Sequence, residues 1–222
     1  MLTRYATAFA IVASLACAAV PSLRHQLLRV AGQALVADEQ ISKSDIIVVS
    51  SDSGGAGTLE AADLVRAGIA MRVAVFDDPP SGEDFEFIRR GLPYEDQGAR
   101  QIRQLKALGI ENIVSISRHA DGTEAESQVF PAWCDQNQWR NVVVVAAKDH
   151  SRRLRRILDR VLTGHATHVA VRAEHYSGFD PDRWWQTRDG VRTEIVEMQK
   201  LILDFILHPS IAMTVPFPGD IA

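Results

Sequence analysis

The sequence is poor in cysteine and nearly balanced in charge, and both features exclude classes of protein. Two cysteines, Cys17 and Cys134, in 222 residues exclude a disulfide-rich scaffold and a Cys-x-x-Cys metal site. The seven histidines show neither His-x-x-x-His nor His-Glu-x-x-His spacing, which argues against zinc. Because the formal net charge is only -4, general attraction for nucleic acid is not expected, and an anion must be bound by a local cluster.

Phosphate-binding fingerprints are also missing. The stretch SSDSGGAGT, residues 50–58, contains neither the Gly-x-Gly-x-x-Gly of dinucleotide-binding proteins nor a P-loop. The chain has no internal repeat and no low-complexity tract. With 46% hydrophobic and 23% charged residues, it has the composition of a globular protein with one sizeable core.

The N-terminus carries an uncharged, largely apolar run at residues 5–20. This run is short for a membrane span of about 20 residues and longer than a signal-peptide core needs. The favoured interpretation is a membrane anchor over residues 1–22. A signal peptide, cleaved near Cys17 to give a secreted or periplasmic protein, and a helix packed in the domain remain open.

Downstream, a connector over residues 23–44 precedes an α/β domain at 45–208 and a tail at 209–222. Apolar, β-branched runs predict strands, and apolar positions at helical spacing predict helices between them. The alternation predicts a Rossmann-like three-layer sandwich, with a mostly parallel sheet of about five strands and helices on both faces. Ligands of such folds bind beyond the carboxyl ends of the strands. The predicted strands are residues 45–51, 71–76, 111–117, 141–147 and 167–173, and the predicted helices are 57–68, 98–109, 123–137, 150–162 and 190–207.

The first strand is followed by a glycine-rich turn. Gly54 and Gly55, with Ser53 before them, would let the backbone and the next helix N-terminus approach an anion. Asp52 is either catalytic or a cap of the turn. A flexible turn without a ligand is the competing interpretation.

Thr123 and Glu126 have the spacing of a capping box, which would explain both residues without any site. A role in the site is the alternative, because they also follow a predicted strand.

The fourth strand is followed by the richest set of polar residues. His150 lies at the carboxyl edge of the sheet, and Arg153 lies one helical turn further on. Arginine can hold phosphate oxygens in a fork while histidine exchanges a proton, so the pair predicts a phosphate site, with Lys148 beside it. A buried or capping histidine is the alternative. The remaining cations are predicted to cover a solvated helix face: Arg152, Arg155 and Arg156.

Several stretches in this order resemble the YdcF-like family of SanA- and ElyC-type proteins. They are DIIVVSSDSGG, AADLVRAG, GTEAE, HSRR and the ending WWQTRDGVRTEIVEMQKLI, which together extend over residues 45–207. The chain departs from the family where three glycines followed by an arginine are usual, since it has residues 50–53 before Gly54 and Gly55. The threonine motif is also reduced to residues 121–123.

The resemblance implies a single-pass inner-membrane protein with a periplasmic domain that takes part in peptidoglycan or cell-envelope maintenance. Transferred position by position, it implies that six residues form the site: Gly54, Gly55, Thr123, Glu126, His150 and Arg153.

The leading hypothesis is therefore a membrane-anchored enzyme, a hydrolase or transferase, acting on a small anionic lipid carrier or cell-wall precursor. His150 would be the acid or base, Glu126 its partner or the base for water, and Arg153 the anion clamp, with Asp52 as a further catalytic candidate. The alternative is a regulatory module that binds a nucleotide-like or lipid-phosphate ligand without turnover. No cofactor and no oligomeric state are identified by the sequence.

Three weaker alternatives stay open. Asp77 and Asp78, after the second strand, could hold the ribose of a nucleotide or of S-adenosylmethionine. A metal-dependent phosphatase would have to use Asp52, Asp149 and Glu126 as hard ligands. Trp184 and Trp185 could line a substrate mouth, although packing against the sheet is favoured.

Overall fold

Helices and strands alternate along the chain, in the order that the sequence predicts. The computed structural model describes residues 20–77, 79–117 and 123–209. Short 3-10 turns at Ser51–Ser53 and Trp184–Gln186 interrupt the alternation. The elements are α1 (Pro21–Ala34), β1 (Ile46–Val49), α2 (Gly54–Arg66), β2 (Val73–Phe76), α3 (Gly82–Arg89), α4 (Gln97–Ala107), β3 (Ile113–Ile116), α5 (Thr123–Asn137), β4 (Asn141–Ala146), α6 (Ser151–Val161), β5 (His168–Ala173) and α7 (Arg188–Leu207).

The five strands form one parallel sheet in the order β3-β2-β1-β4-β5, which confirms the predicted Rossmann-like fold. The central strands are continuous apolar runs because both faces of a parallel sheet are covered. Along the chain, β2 pairs with one side of β1 and β3 pairs with β2. β4 then pairs with the other side of β1, and β5 pairs with β4. The strand order therefore reverses between β1 and β4, and the fold has its topological switch point there.

The two faces of the sheet bury alternate residues of each strand, as the two-residue period of a strand requires. Ile46 and Val48 pack with Phe130 of α5 and with residues of α6. Ile47 and Val49 face the opposite layer, formed by α2 and α4. These two apolar layers hold the ends of β1 and β4 side by side.

The segment before β1 is folded onto the sandwich. Leu35, which follows α1, is buried in a small cluster with Phe179 and Leu201. The indole of Trp184 donates a hydrogen bond of 2.8 Å to the carbonyl of Leu28, and Trp185 stacks on a histidine of α1. The two tryptophans thus contact α1, whereas the sequence analysis favoured packing against the sheet.

The length and composition of the helices contradict the predicted inner-membrane location. Within the ranges that the structure describes, none of the helices is long and apolar enough to cross a membrane. The apolar run that motivated this prediction, together with the alternative signal-cleavage site, lies in residues 1–19, outside the described ranges. Asp78, residues 121–122 of the reduced threonine motif and most of the predicted tail also lie outside them.

The arginines of α6 do not form the solvated face that the sequence predicts. Arg156 is only 4% exposed, and its Nε donates to Asp204 of α7 at 2.6 Å. Arg152 and Arg155 donate to the backbone carbonyls of Val36 and Val169. Arg156 thus belongs to an interface with α7, whereas Arg152 and Arg155 bind the segments that carry Val36 and Val169. The pattern of α6 alone reveals neither set of contacts.

We predict that Asp204→Asn lowers the free energy of unfolding by about 3 kcal/mol, because it leaves the Arg156 guanidinium buried without a counter-charge. Urea denaturation followed by circular dichroism measures the loss. The matched control is Glu86→Gln in an exposed ion pair with Arg89, where we expect a loss of about 0.5 kcal/mol or less.

The double variant Arg156→Met/Asp204→Leu should recover most of the stability, since an apolar pair carries no desolvation cost. An Asp204→Asn variant as stable as the Glu86→Gln control would contradict the structural role of the interface.

Candidate functional site

The candidate site lies at the topological switch point, where the segments after β1 and β4 come together. Ser50 follows β1, and its amide donates to the Val145 carbonyl of β4 at 3.0 Å. His150 follows β4 and precedes α6, and it is 3% exposed. Crevices at such a point are the usual ligand sites of open parallel sheets. Asp52, Thr123 and His150, from three separate segments, meet there.

The Nε2 side of the imidazole faces Asp52 and Thr123. His150 Nε2 lies 3.2 Å from Asp52 Oδ2 and 3.2 Å from Thr123 Oγ1. The Thr123 hydroxyl donates to the same Asp52 oxygen at 2.9 Å. Because the Asp52 side chain is 44% exposed, this side of the buried ring is connected to solvent through a carboxylate.

The Nδ1 side of the ring faces Arg153 and Glu197. Arg153 Nη2 lies 2.7 Å from His150 Nδ1 and also donates to Glu197 Oε2 at 3.3 Å. A guanidinium only donates, so this contact makes Nδ1 an acceptor and leaves the proton of the neutral ring on Nε2. Glu197 Oε2 lies 3.5 Å from Nδ1 and could accept from that nitrogen when the ring gains a second proton.

Arg153 therefore orients the ring, and its charge is balanced within the protein. The sequence analysis assigns Arg153 the role of an anion clamp. Lys148, also predicted to bind the ligand, donates from Nζ to the Phe179 carbonyl at 3.4 Å. Its amide donates to the buried Glu174 carboxylate at 3.2 Å. The described contacts of both cations are thus internal.

Glu126 orders the turn after β1. Its carboxylate accepts hydrogen bonds from the Ser50 hydroxyl and from the Ser51 amide, each at 3.1 Å. The Asp52 carboxylate contacts His150 at Nε2 and the Glu197 carboxylate lies near Nδ1. The partner role that the sequence assigned to Glu126 stays a prediction, and its described hydrogen bonds fix the backbone on which Asp52 stands.

The glycine-rich stretch is the first turn of α2 and not the loop predicted before residue 57. Gly54 has φ +51°, a conformation that favours glycine. A Cβ on Gly57 would lie 1.9 Å from Ser53 Oγ, so Gly57 is required for close packing. Ser53 itself donates to the Ser50 carbonyl and thus holds the turn. A Cβ on Gly55 would meet only the Gln104 amide, at 3.8 Å, so the packing around Gly55 does not require glycine.

The N-terminus of α2 opens beside Asp52. None of the described side chains caps it, whereas Ser81, Asp96 and Thr187 cap α3, α4 and α7. The first amides of a helix have no intrahelical acceptor and favour negative charge. The amide of Gly54 donates to the Ser51 carbonyl and that of Arg152 in α6 to the Leu35 carbonyl, so an anion at α2 would have to be held by amides beyond Gly54.

The carboxylates named as hard metal ligands serve other purposes. Asp52 is hydrogen-bonded to Thr123, and Glu126 binds the turn after β1. In the described part of the chain, no three His, Cys, Asp or Glu side chains are grouped so that they could hold a metal ion.

The residue that the sequence analysis missed is Glu197. Burial acts to raise the pKa of this carboxyl, but the contact with His150, a hydrogen bond from Lys200 and the charge of Arg153 lower it to about 2. Glu194, one turn earlier on α7, is 3% exposed, and its carboxylate has no hydrogen-bond partner among the described residues. Burial raises the pKa of Glu194 to about 7. The signal for both was present as acidic residues spaced three or four apart on the closing helix.

No family model matches the sequence, and no curated protein matches it. Among solved structures, a universal stress protein in complex with cAMP is similar, with a TM-score of 0.36 and 14% sequence identity. The similarity covers 61% of this chain and 100% of that one. The resemblance to the YdcF-like family thus stays a prediction.

We predict that the two buried acids of α7 affect stability in opposite pH windows. Glu197 has a lowered pKa, so its contribution is complete above pH 4.5 and is lost as the pH falls toward 2. Glu194 has a raised pKa, so its contribution is complete below pH 4.5 and is lost as the pH rises to about 7. At pH 8, Glu197→Gln should therefore destabilise the protein and Glu194→Gln should stabilise it, each by about 2 kcal/mol.

Urea denaturation between pH 3 and 8 measures both effects, with Glu83→Gln on the exposed face of α3 as the control. The Glu194→Gln gain should disappear by pH 4.5, and the Glu197→Gln loss should shrink toward pH 3. Shifts of the same sign for both variants at pH 8 would contradict the assignment.

Proposed function

We propose that the chain is an enzyme that hydrolyses or transfers the phosphate of a small phosphate-bearing molecule, with His150 and Asp52 as its acid-base pair. The observation that supports this most directly is the buried His150, contacted through both ring nitrogens at the switch point. A histidine that only filled the core would not need a fixed tautomer or an exposed carboxylate on its Nε2. General acid-base catalysis needs both.

The protonation state supports a division of roles. Since Nε2 carries the proton, His150 is a proton donor toward the crevice, and the Asp52 carboxylate is an acceptor. In hydrolysis, water attacks phosphorus and Asp52 takes its proton. As the bond between phosphorus and the leaving oxygen breaks, the Nε2 proton of His150 moves to that oxygen while the proton that Asp52 has taken moves to Nε2 across their 3.2 Å contact. Both groups are thereby restored in the same step, and no imidazolate is formed.

The phosphate itself would bind at the N-terminus of α2. The N-terminus of α2, which has no side-chain cap, and the room for a Cβ at Gly55 support this placement. Lys148 and Arg153 contribute to the local potential, although their described contacts are internal. The substrate class that the YdcF-like resemblance implies, an envelope lipid carrier or glycan precursor, remains the candidate to test first.

We expect phosphate release from one of three substrate classes by the full-length protein: polyprenyl phosphates, sugar phosphates or nucleotides. His150→Gln should lower the rate at least about 100-fold, because the leaving oxygen loses its proton donor. Asp52→Asn, at a more exposed position, should lower it about tenfold or more with the fold intact. The control is His168→Gln at the opposite edge of the sheet, which should retain full activity.

Inorganic phosphate release measures the activity, and thermal unfolding of each variant checks its fold. Binding of one class without turnover would contradict an enzyme and favour the regulatory module. Full activity in a folded His150→Gln variant would exclude His150 as the proton donor.

A further inference from the structure

A cavity of about 360 Å³ adjoins the Nδ1 side of His150. Glu197 belongs both to its wall and to the contacts of the imidazole, and Asp149 of the wall immediately precedes His150. The cavity is open to solvent, and its volume lies within the range of small-molecule sites. The lining residues are Asp149, Asp189, Arg192, Thr193, Val196 and Glu197.

The lining is unsuited to the phosphate end of a substrate. Three carboxylates outnumber the single guanidinium, so a second anionic group would be repelled. A bare metal ion is equally disfavoured, because the described residues contain no group of three carboxylate or imidazole ligands suited to a metal. Arg192 also opposes a simple cation.

The lining does suit neighbouring hydroxyl groups. A hydroxyl both donates and accepts, and the α7 wall offers donors on Arg192 and Thr193 beside acceptors on Asp189 and Glu197. These residues occupy one face of α7 at spacings of three and four, so neighbouring side chains lie about 5–6 Å apart, which is the scale of one sugar ring. Val196 adds an apolar surface for ring carbons. Burial raises the pKa of Asp149, which makes it a further hydroxyl-binding group.

We propose that this cavity is the subsite for a hydroxyl-rich group, so that the substrate class is a sugar or polyol phosphate. The inference rests on the proposed function, since it assigns the phosphate end to the N-terminus of α2. The rest of the molecule then extends past His150 into the cavity, and Asp189, Arg192 and Thr193 determine specificity.

The test is isothermal titration calorimetry of the full-length chain with inorganic phosphate, glycerol phosphate, glucose 1-phosphate and N-acetylglucosamine 1-phosphate. We expect at least one sugar phosphate to bind about tenfold or more tightly than inorganic phosphate. Thr193→Val should weaken that sugar phosphate about threefold to tenfold and leave inorganic phosphate unchanged, because only the sugar loses a hydrogen bond. Thr163→Val, at an exposed position beyond the C-terminal end of α6, is the control.

A second pair of variants covers the case in which Thr193→Val fails to fold. Arg192→Met should again weaken only the sugar phosphate, while Arg24→Met on α1 should change nothing. Gly55→Ala should weaken both ligands alike, because it adds a methyl group to the first turn of α2, where the phosphate is proposed to bind, and meets only the Gln104 amide at 3.8 Å.

The experiment distinguishes failure of the cavity proposal from failure of the proposed function. If inorganic phosphate binds and no sugar phosphate binds more tightly, the cavity proposal is overturned and the anion site stands. Equal affinity of wild type and Thr193→Val for the sugar phosphate also overturns it. If neither phosphate nor any sugar phosphate binds, the proposed function is wrong and the inference falls with it.

Discussion

The pairing of α6 cations with α7 acids is the constraint on which the site depends. Arg153 can orient His150 only because Glu197 balances its charge in a largely buried position. Further along, Arg156 and Asp204 form the same kind of pair and hold the two helices together. Since broken buried pairs are costly, α7 must stay docked for the imidazole to keep its orientation. Helix packing and proton chemistry are thus linked through one row of ion pairs.

The strand order determines which segments meet at the site. A parallel sheet that restarts at β4 brings the segments after β1 and β4 together, and each delivers its side chains to the same edge. The Glu126 carboxylate fixes the first of these segments by binding Ser50 and Ser51. Asp52 is thereby held against His150, although the two are far apart in sequence.

Much of this arrangement was predictable because it follows from local patterns. The β-branched runs predicted the strands, and the rule for carboxyl edges selected the segments that contain Asp52, Thr123 and His150. The partners of those residues were not predictable, since they depend on tertiary packing. Thr123 and Glu126 fit a capping box by spacing, yet their contacts reach Asp52 and Ser50. Arg156 belongs to a stripe that looks solvated until α7 supplies Asp204, and Glu197 lies more than forty residues from the histidine it accompanies.

The account centres on the tautomer of His150 in which Nδ1 accepts from Arg153 and the proton lies on Nε2. Nitrogen-15 NMR of the imidazole at neutral pH, with the resonance assigned through His150→Gln, tests this most directly. We expect the signal of a protonated Nε2 and an unprotonated Nδ1, with the pattern lost in Arg153→Met. A proton on Nδ1, or free exchange between the two tautomers, would contradict the account.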